Sequence, residues 1–356
     1  MKTYKRLYEK IINLDNLTQA WKKARKGKTA KKYVIAFEQD LDNNLSNLHQ
    51  ELLQEVYQPS PLKTFVIRDP KTRVISKSEF RDRIVHHAIV NILEPIYEKY
   101  FIYDSCANRK GKGTLFALQR FNTFKRKVSK NGKGVNNGYP NANFVKGFCL
   151  KADIKRYFDS IDQELLIRLL ERKIKDKQTI LLIKKIVDNF YARRGMPLGN
   201  LTSQFFANIY LHELDLFVKH VLKAKYYIRY VDDFVILHEN KERLLEWKEA
   251  IDNFLKMILH LELHPEKSKI HALARGIDFV GFRNFFHFRI LRKRNVRSMR
   301  RKIQSVYGGK EGFRQLIHSY QGWCAYACWA DSYMLRKSLV REINEIFFRI
   351  NSKLQH

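Results

Sequence analysis

Cysteine is scarce in this sequence of 356 residues. Four cysteines are too few for the disulfide framework of a secreted domain. Cys324 and Cys328 share a C-x3-C spacing, but no second pair of ligands follows at the spacing of a zinc site. We therefore interpret the cysteines as buried free thiols of a protein that works in a reducing compartment.

Long apolar runs are also lacking. No run is long enough to span a membrane, and the N-terminal residues Met1–Arg6 are not followed by the apolar core of a signal peptide. These absences predict a cytoplasmic protein that has no membrane as its partner.

Acidic residues are few, because 36 Asp and Glu face 68 Lys and Arg and leave a formal net charge of +32. An excess of this size repels itself in a compact chain unless a polyanion is nearby. Nucleic acid is the usual partner, since lysine and arginine neutralise phosphates and release counterions. Solubility and attraction to an anionic membrane are the alternatives. Aromatic residues interleave with the basic ones and favour nucleic acid, because bases stack on aromatic rings.

Apolar periodicity predicts helical ends and a mixed middle. Residues 1–62 are predicted to be a helical extension, in which the residues at helical spacing are Phe37, Leu41, Leu45, Leu48, Leu52 and Val56. Strand patterns follow at Thr64–Arg68 and Arg73–Ile75, and helical spacing returns from Ile84 to Tyr100. Residues 129–147 are rich in Gly and Asn and are interpreted as an inserted loop.

The middle of the chain carries strand signals next to carboxylates. Phe148–Asp153 alternates like a strand that ends at Asp153, and Ser160 with Gln163 forms a capping box for the next helix. Tyr226–Leu237 is β-prone and is interrupted at Asp232–Asp233, which predicts a hairpin with both carboxylates at its turn. A further strand is predicted at Phe279–Phe282.

Asp153, Asp232 and Asp233 are the candidate catalytic and metal-binding residues. A strand end and a neighbouring hairpin turn can lie side by side in a split-βαβ sheet. Hard cations such as Mg²⁺ prefer carboxylate oxygens, and nucleotidyl transfer uses two of them. The alternative is that Asp-Asp is ordinary turn chemistry and that Asp153 merely ends a strand. The spacing by itself leaves both interpretations open.

Six blocks of sequence resemble those of reverse transcriptases and occur in the same order. Together they span roughly residues 60 to 285. Tyr230-Val231-Asp232-Asp233 resembles their Tyr-x-Asp-Asp box. The other matching blocks are Arg73–Ile75 with Arg81–Arg83, Leu150–Ile161, Pro197–Gln204, Lys267 in a Pro-Glu-Lys-Ser context, and Phe279–Phe282. The resemblance implies an RNA-directed DNA polymerase with an α+β right-hand fold of fingers, palm and helical thumb.

The domain boundaries that this resemblance implies are a helical extension over 1–62, fingers over 63–147 and a palm over 148–285. A fingers segment at about 165–200 would interrupt the palm, and a basic helical thumb would occupy 286–356. The chain ends soon after this predicted thumb, so we expect no RNase H, endonuclease or maturase domain.

The resemblance also implies roles for individual residues. Asp153 and Asp232 would hold two Mg²⁺ ions, with Mn²⁺ as a substitute, Asp233 alongside, and the backbone carbonyl of Ile154 near a metal. Phe158 would lie under the sugar of the incoming nucleotide and exclude a 2′-hydroxyl. Its alternative is an ordinary core phenylalanine.

Arg73, with Arg81 or Arg83, would grip the incoming triphosphate, because a guanidinium suits phosphate geometry. The alternative for these arginines is ion pairing with acidic neighbours, namely Asp69, Glu79 or Asp82. Lys267 would act as a general acid toward pyrophosphate, or would be a surface lysine.

One block departs from the common pattern. Many reverse transcriptases have Gln-Gly-x-x-x-Ser-Pro where this chain has Leu198-Gly199-x-x-x-Ser203-Gln204. Leu198, Gly199 and Gln204 would lie at the nucleotide site. The variant, with the Arg109–Thr114 stretch, resembles the reverse transcriptases of diversity-generating retroelements, which are bacterial or phage-encoded. That resemblance implies error-prone copying of a template RNA, together with a small basic oligomeric accessory protein.

Two other functions stay open. One is a reverse transcriptase of an anti-phage defence, retron or group II intron-like system. The other is a non-catalytic RNA-binding scaffold on a polymerase fold, against which the intact aspartates argue. The implied partners of an active enzyme are template RNA, the RNA/DNA duplex and dNTPs.

Overall fold

A computed structural model describes residues 2–68, 72–132, 145–190, 192, 194–307 and 312–354. The α-helices are α1 (Tyr8–Ile12), α2 (Leu14–Arg25), α3 (Lys32–Glu38), α4 (Leu41–Leu53), α5 (Phe80–Tyr97), α6 (Thr114–Val128), α7 (Tyr157–Ser160), α8 (Gln163–Glu171), α9 (Lys177–Asp188), α10 (Leu201–Leu216), α11 (Lys241–Leu259), α12 (Lys293–Tyr307), α13 (Phe313–Ala327) and α14 (Tyr333–Leu354). The strands are β1 (Lys63–Ile67), β2 (Arg73–Lys77), β3 (Phe148–Asp153), β4 (Tyr226–Tyr230), β5 (Asp233–His238), β6 (Lys269–Ala272), β7 (Ile277–Phe279), β8 (Phe282–Asn284) and β9 (Arg289–Leu291). The predicted α+β class is confirmed.

The chain divides into two compact units. The first contains Met1–Gly111, Ala152–Phe234 and Trp247–Ser268, and the second contains Lys112–Lys151, Val235–Glu246 and Lys269–His356. Each of strands β3 and β5 includes a point at which the chain passes from one unit into the other.

The strands form three sheets. Strands β1 and β2 make an antiparallel pair in which Ile67 lies opposite Arg73. A four-stranded sheet has the order β4-β5-β3-β6, and β3 runs antiparallel to β6 with Leu150 opposite Ile270. Strands β7, β8 and β9 form a small antiparallel sheet. The sheet order makes β5 the neighbour of β3, so the two acidic strand ends come from adjacent strands.

In the first unit, the N-terminal helices pack around α5. Leu45, Leu48 and Leu52 of α4 are buried, as their spacing predicts. The residues at helical spacing from Phe37 to Val56 do not share one helix, because α3 ends at Glu38 and α4 spans Leu41–Leu53. Val56 lies beyond α4 with 58% of its surface exposed.

In the second unit, the C-terminal helices α12, α13 and α14 share an apolar core. Its buried members are Met299, Ile303, Val306, Leu316, Leu339, Ile343 and Ile346. The basic residues of α12, including Arg294, Arg297 and Arg301, are left on the other face of that helix. Helices α12, α13 and α14 fill most of the range 286–356, which is predicted to be helical and basic, although β9 also lies within that range.

Three local predictions are wrong. The helix α8 is capped by Asp162, whose carboxylate accepts from the Leu165 amide at 2.9 Å, whereas Ser160 ends α7. The strand predicted over Phe279–Phe282 is interrupted, because Phe279 ends β7, Phe282 begins β8, and Val280 and Gly281 between them form a turn with positive φ. Cys106 and Cys149 are buried free thiols as expected, but Cys328 is exposed.

Positions 133–144 of the predicted inserted loop lie outside the described residues, and so do positions 69–71, which separate the predicted strands Thr64–Arg68 and Arg73–Ile75. Within the described ranges, no helix combines the length and the apolarity needed to cross a membrane.

Candidate active site

Two carboxylates meet where β3 ends and the β4–β5 hairpin turns. Asp153 is the last residue of β3, and Asp232 lies in the two-residue turn between β4 and β5. The amide of Ile154 donates to the backbone oxygen of Asp232 at 3.2 Å. This bond ties the residue after one carboxylate to the residue that carries the other, so the structure brings Asp153, Ile154, Asp232 and the adjacent Asp233 together.

The electrostatics of this pair favour a bound cation. Burial raises the pKa of the Asp232 carboxyl above its ordinary value, and the negative charge of Asp153 raises it further. The positive charges of Lys267 and Arg73 act in the opposite direction. A half-buried carboxylate that is desolvated and faces a like charge is stabilised by any cation that reaches it.

Lys267 supplies one such cation. Its ammonium donates to Oδ2 of Asp153 at 3.0 Å, with 40% of the lysine side chain and 22% of the aspartate side chain exposed. The lysine therefore lies at the candidate site and is more than a remote surface residue. Screening by water keeps the free energy of such a partly exposed pair small.

The backbone of Asp153 is held by the segment that contains Lys267. Its amide donates to Oγ of Ser268 at 3.3 Å, and its carbonyl accepts from the His264 amide at 2.7 Å. The hydroxyl of the fully buried Ser268 also donates to that carbonyl at 3.4 Å. The Pro-Glu-Lys-Ser block thus fixes both the main chain and the side chain of Asp153.

The hairpin turn itself is strained. Val231 has φ of 58°, a left-handed conformation that a β-branched residue rarely adopts. Such a conformation costs about 1–2 kcal/mol. It persists only where the surrounding structure determines it, and residues of this kind concentrate at functional sites.

The donor set suits Mg²⁺, which proteins usually bind through one or two carboxylates together with waters and substrate phosphates. Asp153 and Asp232 supply such a pair. In the described part of the chain, no group of three or more His, Cys, Asp or Glu side chains is arranged as a metal site. The residues therefore fit a cation whose remaining coordination positions are filled by water and by substrate phosphates.

The three candidate arginines have different surroundings. Arg73 begins β2 and is exposed, and its charge is felt by Asp232. Arg81 pairs with Glu51 and lies 5.3 Å from the ring centroid of Tyr57.

Arg83 donates to the Ser78 carbonyl at 2.9 Å and lies 5.2 Å from the ring centroid of Tyr33. Two of the acidic alternatives have other partners, because Glu79 pairs with Lys63 and Asp82 accepts from the Tyr57 hydroxyl, and the third, Asp69, lies outside the described residues. The ion pair of Arg81 is therefore with Glu51, a residue in α4 whose proximity the sequence did not indicate.

The Pro197–Gln204 block lies beside β2. The amide of Ser76 donates to the Leu198 carbonyl at 2.9 Å. Asn200 is buried, and its side-chain oxygen accepts from the amide and the hydroxyl of Ser78 at 3.0 and 2.9 Å. Gln204 follows, half-buried, in the first turn of α10. Leu198 and Gly199 are therefore fixed against the strand that begins with Arg73.

Phe158 lies in α7, just after the Asp153 strand. It is half-buried and packs edge to face on the fully buried Tyr157, with ring centroids 5.4 Å apart. The Phe158 carbonyl accepts from the Met196 amide at 2.7 Å. Tyr157 is thus the core residue of this pair, while Phe158 keeps part of its ring accessible.

Residues 67–284, more than half of the chain, match the family model described as "Reverse transcriptase (RNA-dependent DNA polymerase)". The chain belongs to this family, and its α+β fold is the right-hand polymerase fold predicted from the resemblance.

The chain is 25% identical over 305 residues to protein YkfC of Escherichia coli K12, covering 74% of this chain and 75% of that protein. It is 27% identical over 315 residues to the group II intron-encoded protein LtrA of Lactococcus lactis subsp. cremoris. That match covers 68% of this chain and 49% of LtrA, so the chain spans about half the length of this relative. A telomerase structure from Candida albicans has a TM-score of 0.48 at 12% identity, covering 73% of this chain and 50% of that one.

Sequence reasoning missed three residues of this region. Ser268 and Asn200 hold the main chain at Asp153 and at β2, and both stood inside matched blocks without a role. Arg229, which lies between the β-prone residues of the hairpin, is fully buried in an ion pair with Asp215. A charged residue within an apolar strand pattern was the available signal, because buried charges are paired.

We predict that Gly199→Ala destabilises the first unit. Gly199 has φ of 117°, and a Cβ there would lie 2.8 Å from Cγ2 of Ile75. Backbone strain and overpacking each cost about 1–3 kcal/mol. Urea unfolding measures the loss.

The matched control is Gly27→Ala, since Gly27 has φ of 71° and nothing within 4 Å of its added Cβ. This variant carries the backbone strain without the collision. Equal unfolding midpoints for the two variants would show that the loop does not pack on β2.

Proposed function

We propose that this protein copies an RNA template into DNA by metal-dependent nucleotidyl transfer at Asp153 and Asp232. The observation that carries the proposal is the convergence of these two carboxylates, from adjacent strands, in a chain of the reverse transcriptase family. Template RNA, the RNA/DNA duplex and dNTPs are its proposed partners. The formal net charge of +32 suits them, because the bound phosphates would neutralise it.

Each residue has a task in this proposal. Asp153 and Asp232 would hold two Mg²⁺ ions, with Asp233 and the Ile154 carbonyl beside them. When bound, these ions activate the primer 3′-hydroxyl and stabilise the leaving pyrophosphate. The Lys267 ammonium, which lies 3.0 Å from the Asp153 carboxylate, would leave that carboxylate and bind the triphosphate instead. It would then donate a proton to the pyrophosphate leaving group.

Arg73 is the arginine that we place on the triphosphate, because its charge already reaches Asp232 and its side chain is exposed. Arg81 and Arg83 would join it by exchanging their present partners. Gln204 and Gly199 would border the nucleotide. The fingers, palm and thumb would follow the boundaries given by the sequence blocks.

We predict that Asp232→Asn and Asp153→Asn each lower DNA synthesis by about three orders of magnitude or more, since an amide oxygen without charge loses several kcal/mol of transition-state stabilisation. Neither carboxylate is fully buried in the core, so folding and RNA binding should stay near wild type. Labelled dNTP incorporation on homopolymer RNA with a DNA primer measures the rate.

Asp159→Asn is the matched control, because Asp159 lies in the same block but is exposed. It should extend primers at the wild-type rate. If Asp153→Asn and Asp232→Asn also do so while melting like the wild type, the two residues are not the metal ligands. Failure of the wild-type chain to incorporate any nucleotide would favour the scaffold alternative.

We predict that Phe158→Ala admits ribonucleotides. The accessible part of the ring would occupy the space of a 2′-hydroxyl, and its removal abolishes that clash. The ratio of rNTP to dNTP incorporation should rise, whereas Tyr157→Phe, which removes only a hydroxyl bonded to the Ala207 carbonyl, should leave it unchanged. An unaltered ratio in Phe158→Ala would make Phe158 a packing residue.

The finer proposal is that this is the error-prone enzyme of a diversity-generating retroelement, working with a small basic oligomeric accessory protein. The support is Leu198, which is held beside β2 by its carbonyl where many family members carry glutamine. A leucine side chain cannot donate to the sugar of a well-placed nucleotide. Losing one such hydrogen bond removes discrimination of roughly 1 kcal/mol.

We predict that Leu198→Gln makes copying more faithful, by about fivefold if the restored bond discriminates by 1 kcal/mol. Wild type and variant would copy one defined RNA, and sequencing of the products would count errors opposite each template base. Leu198→Met, which adds no hydrogen-bond donor, is the control and should keep the wild-type error spectrum. Identical spectra for all three proteins would exclude Leu198 as the source of errors.

A group II intron-like, retron or anti-phage defence system is the second candidate for the biological setting. The similarity to the group II intron-encoded protein LtrA favours it. A near-identical template repeat that lies beside the gene and differs at adenines would decide for the diversifying retroelement. Its absence would favour the second candidate without touching the polymerase proposal.

A further inference from the structure

The β4–β5 hairpin rests on a fully buried ion pair. Both Arg229 of β4 and Asp215 of α10 have 0% of their side chains exposed. Nε and Nη2 of Arg229 donate to the two carboxylate oxygens of Asp215 at 2.7 and 2.6 Å. The Tyr227 hydroxyl donates to the same carboxylate at 2.8 Å.

Every N–H of the Arg229 guanidinium has an acceptor. Two reach Asp215, and the second N–H of Nη2 reaches the Ser105 hydroxyl at 3.1 Å. The two N–H groups of Nη1 reach the Asn208 side-chain oxygen at 3.1 Å and the Val231 carbonyl at 3.2 Å. Because a guanidinium carries five N–H groups in one plane, this set of contacts fixes its position completely.

The contact with Val231 leads directly to the candidate site. The carbonyl that Arg229 holds belongs to the residue with φ of 58°, and its peptide bond continues into Asp232. The carbonyl of the strained Val231–Asp232 peptide thus accepts a hydrogen bond from the rigidly held guanidinium of Arg229. The backbone of Arg229 is anchored as well, since its amide donates to the Asp104 carbonyl and its carbonyl accepts from the Cys106 amide.

Stability does not explain this arrangement. Desolvation of two charges offsets most of their attraction, so apolar residues of similar volume often stabilise a core equally well or better. What an apolar pair cannot do is hold one particular carbonyl in one orientation. A polar group that orients a metal-binding residue commonly changes metal affinity when it is removed.

We infer that the Arg229–Asp215 pair is a positioning device that holds the Val231–Asp232 peptide in its strained conformation and so presents Asp232 to the metal. This inference rests on the proposed function, in which Asp232 is a metal ligand. Arg229 touches neither substrate nor metal and acts through the backbone of the turn.

The first test needs neither metal nor nucleotide. In Arg229→Lys the positive charge stays with Asp215, but a compact ammonium with three donors cannot also reach Val231, Asn208 and Ser105. Hydrogen exchange of the peptide spanning 226–238 should become severalfold faster at the turn, while α10 and α5 keep wild-type protection. Wild-type exchange at the turn would overturn the inference, and so would a uniform increase along the whole chain.

The second test measures the metal directly. Binding of Mn²⁺ to the full chain, followed by electron paramagnetic resonance, should weaken by about 10-fold to 100-fold in Arg229→Lys. In primer extension the Mg²⁺ concentration for half-maximal rate should rise by a similar factor, and saturating Mg²⁺ should restore much of the rate. A purely structural role lowers the rate equally at all Mg²⁺ concentrations, and that result would overturn the inference.

Two further variants keep the tests decisive. Asp215→Asn preserves the volume and removes the charge that orients Arg229, so it should show the same local exchange if Arg229→Lys fails to fold. Tyr210→Phe is the control, since it deletes another buried hydrogen bond of α10, from the hydroxyl to the Leu259 carbonyl at 2.7 Å. It should lower stability and leave both the turn and the Mg²⁺ dependence unchanged.

The failures of the two proposals can be separated. If the wild-type chain makes no DNA, the polymerase proposal fails, and the exchange and Mn²⁺ measurements still decide the role of Arg229. If the wild type makes DNA and Arg229→Lys matches it in exchange, Mn²⁺ binding and Mg²⁺ dependence, only the inference about Arg229 fails.

Discussion

Repulsion between two neighbouring carboxylates is the constraint around which this region is built. Asp153 and Asp232 carry like charges at one end of a sheet, and the charge of Asp153 helps to raise the pKa of the Asp232 carboxyl. A flexible chain would relax by separating them. Here, neither can move easily, because Ser268 and His264 fix the main chain on one side and Arg229 fixes it on the other. The rigidity of the surrounding hydrogen bonds keeps the two charges close.

Hydrogen bonds also hold β2, the strand that carries Arg73, in a fixed position. The Asn200 side chain accepts from the amide and hydroxyl of Ser78 and donates to the carbonyl of Ser76, so the loop before α10 is bonded directly to strand β2 and the residue after it. Since α10 also carries Asp215, one helix connects the support of β2 with the support of the hairpin. A single element thus sets the positions of groups that lie far apart in the sequence.

Local patterns predicted most of the elements, and they were insufficient where distant residues decide the structure. The hairpin at Asp232 and the strand before Asp153 were predictable, because alternation and turn residues are short-range signals. The sequence did not show whether Asp162 or Ser160 caps α8, since both residue types cap helices. The strand prediction fails at Val280 because a valine gives no warning of a positive φ. The partner of Arg229 lies in another helix, so the sequence indicated at most that this charge would need one. The pairing of Arg81 with Glu51 of α4 was hidden for the same reason.

The left-handed valine of the hairpin has a consequence for how this protein can change. A residue that fits a positive φ without strain, such as glycine or asparagine, would recover stability at this position. Selection for thermal stability alone would therefore replace Val231. The Val231–Asp232 peptide would then become more mobile at the point where the Asp232 carboxylate must be held in place. Natural proteins commonly retain such costly residues where activity opposes stability. Thermostabilised variants of this chain should accordingly be sought in the helical extension and in the C-terminal helices, with the hairpin left as it is.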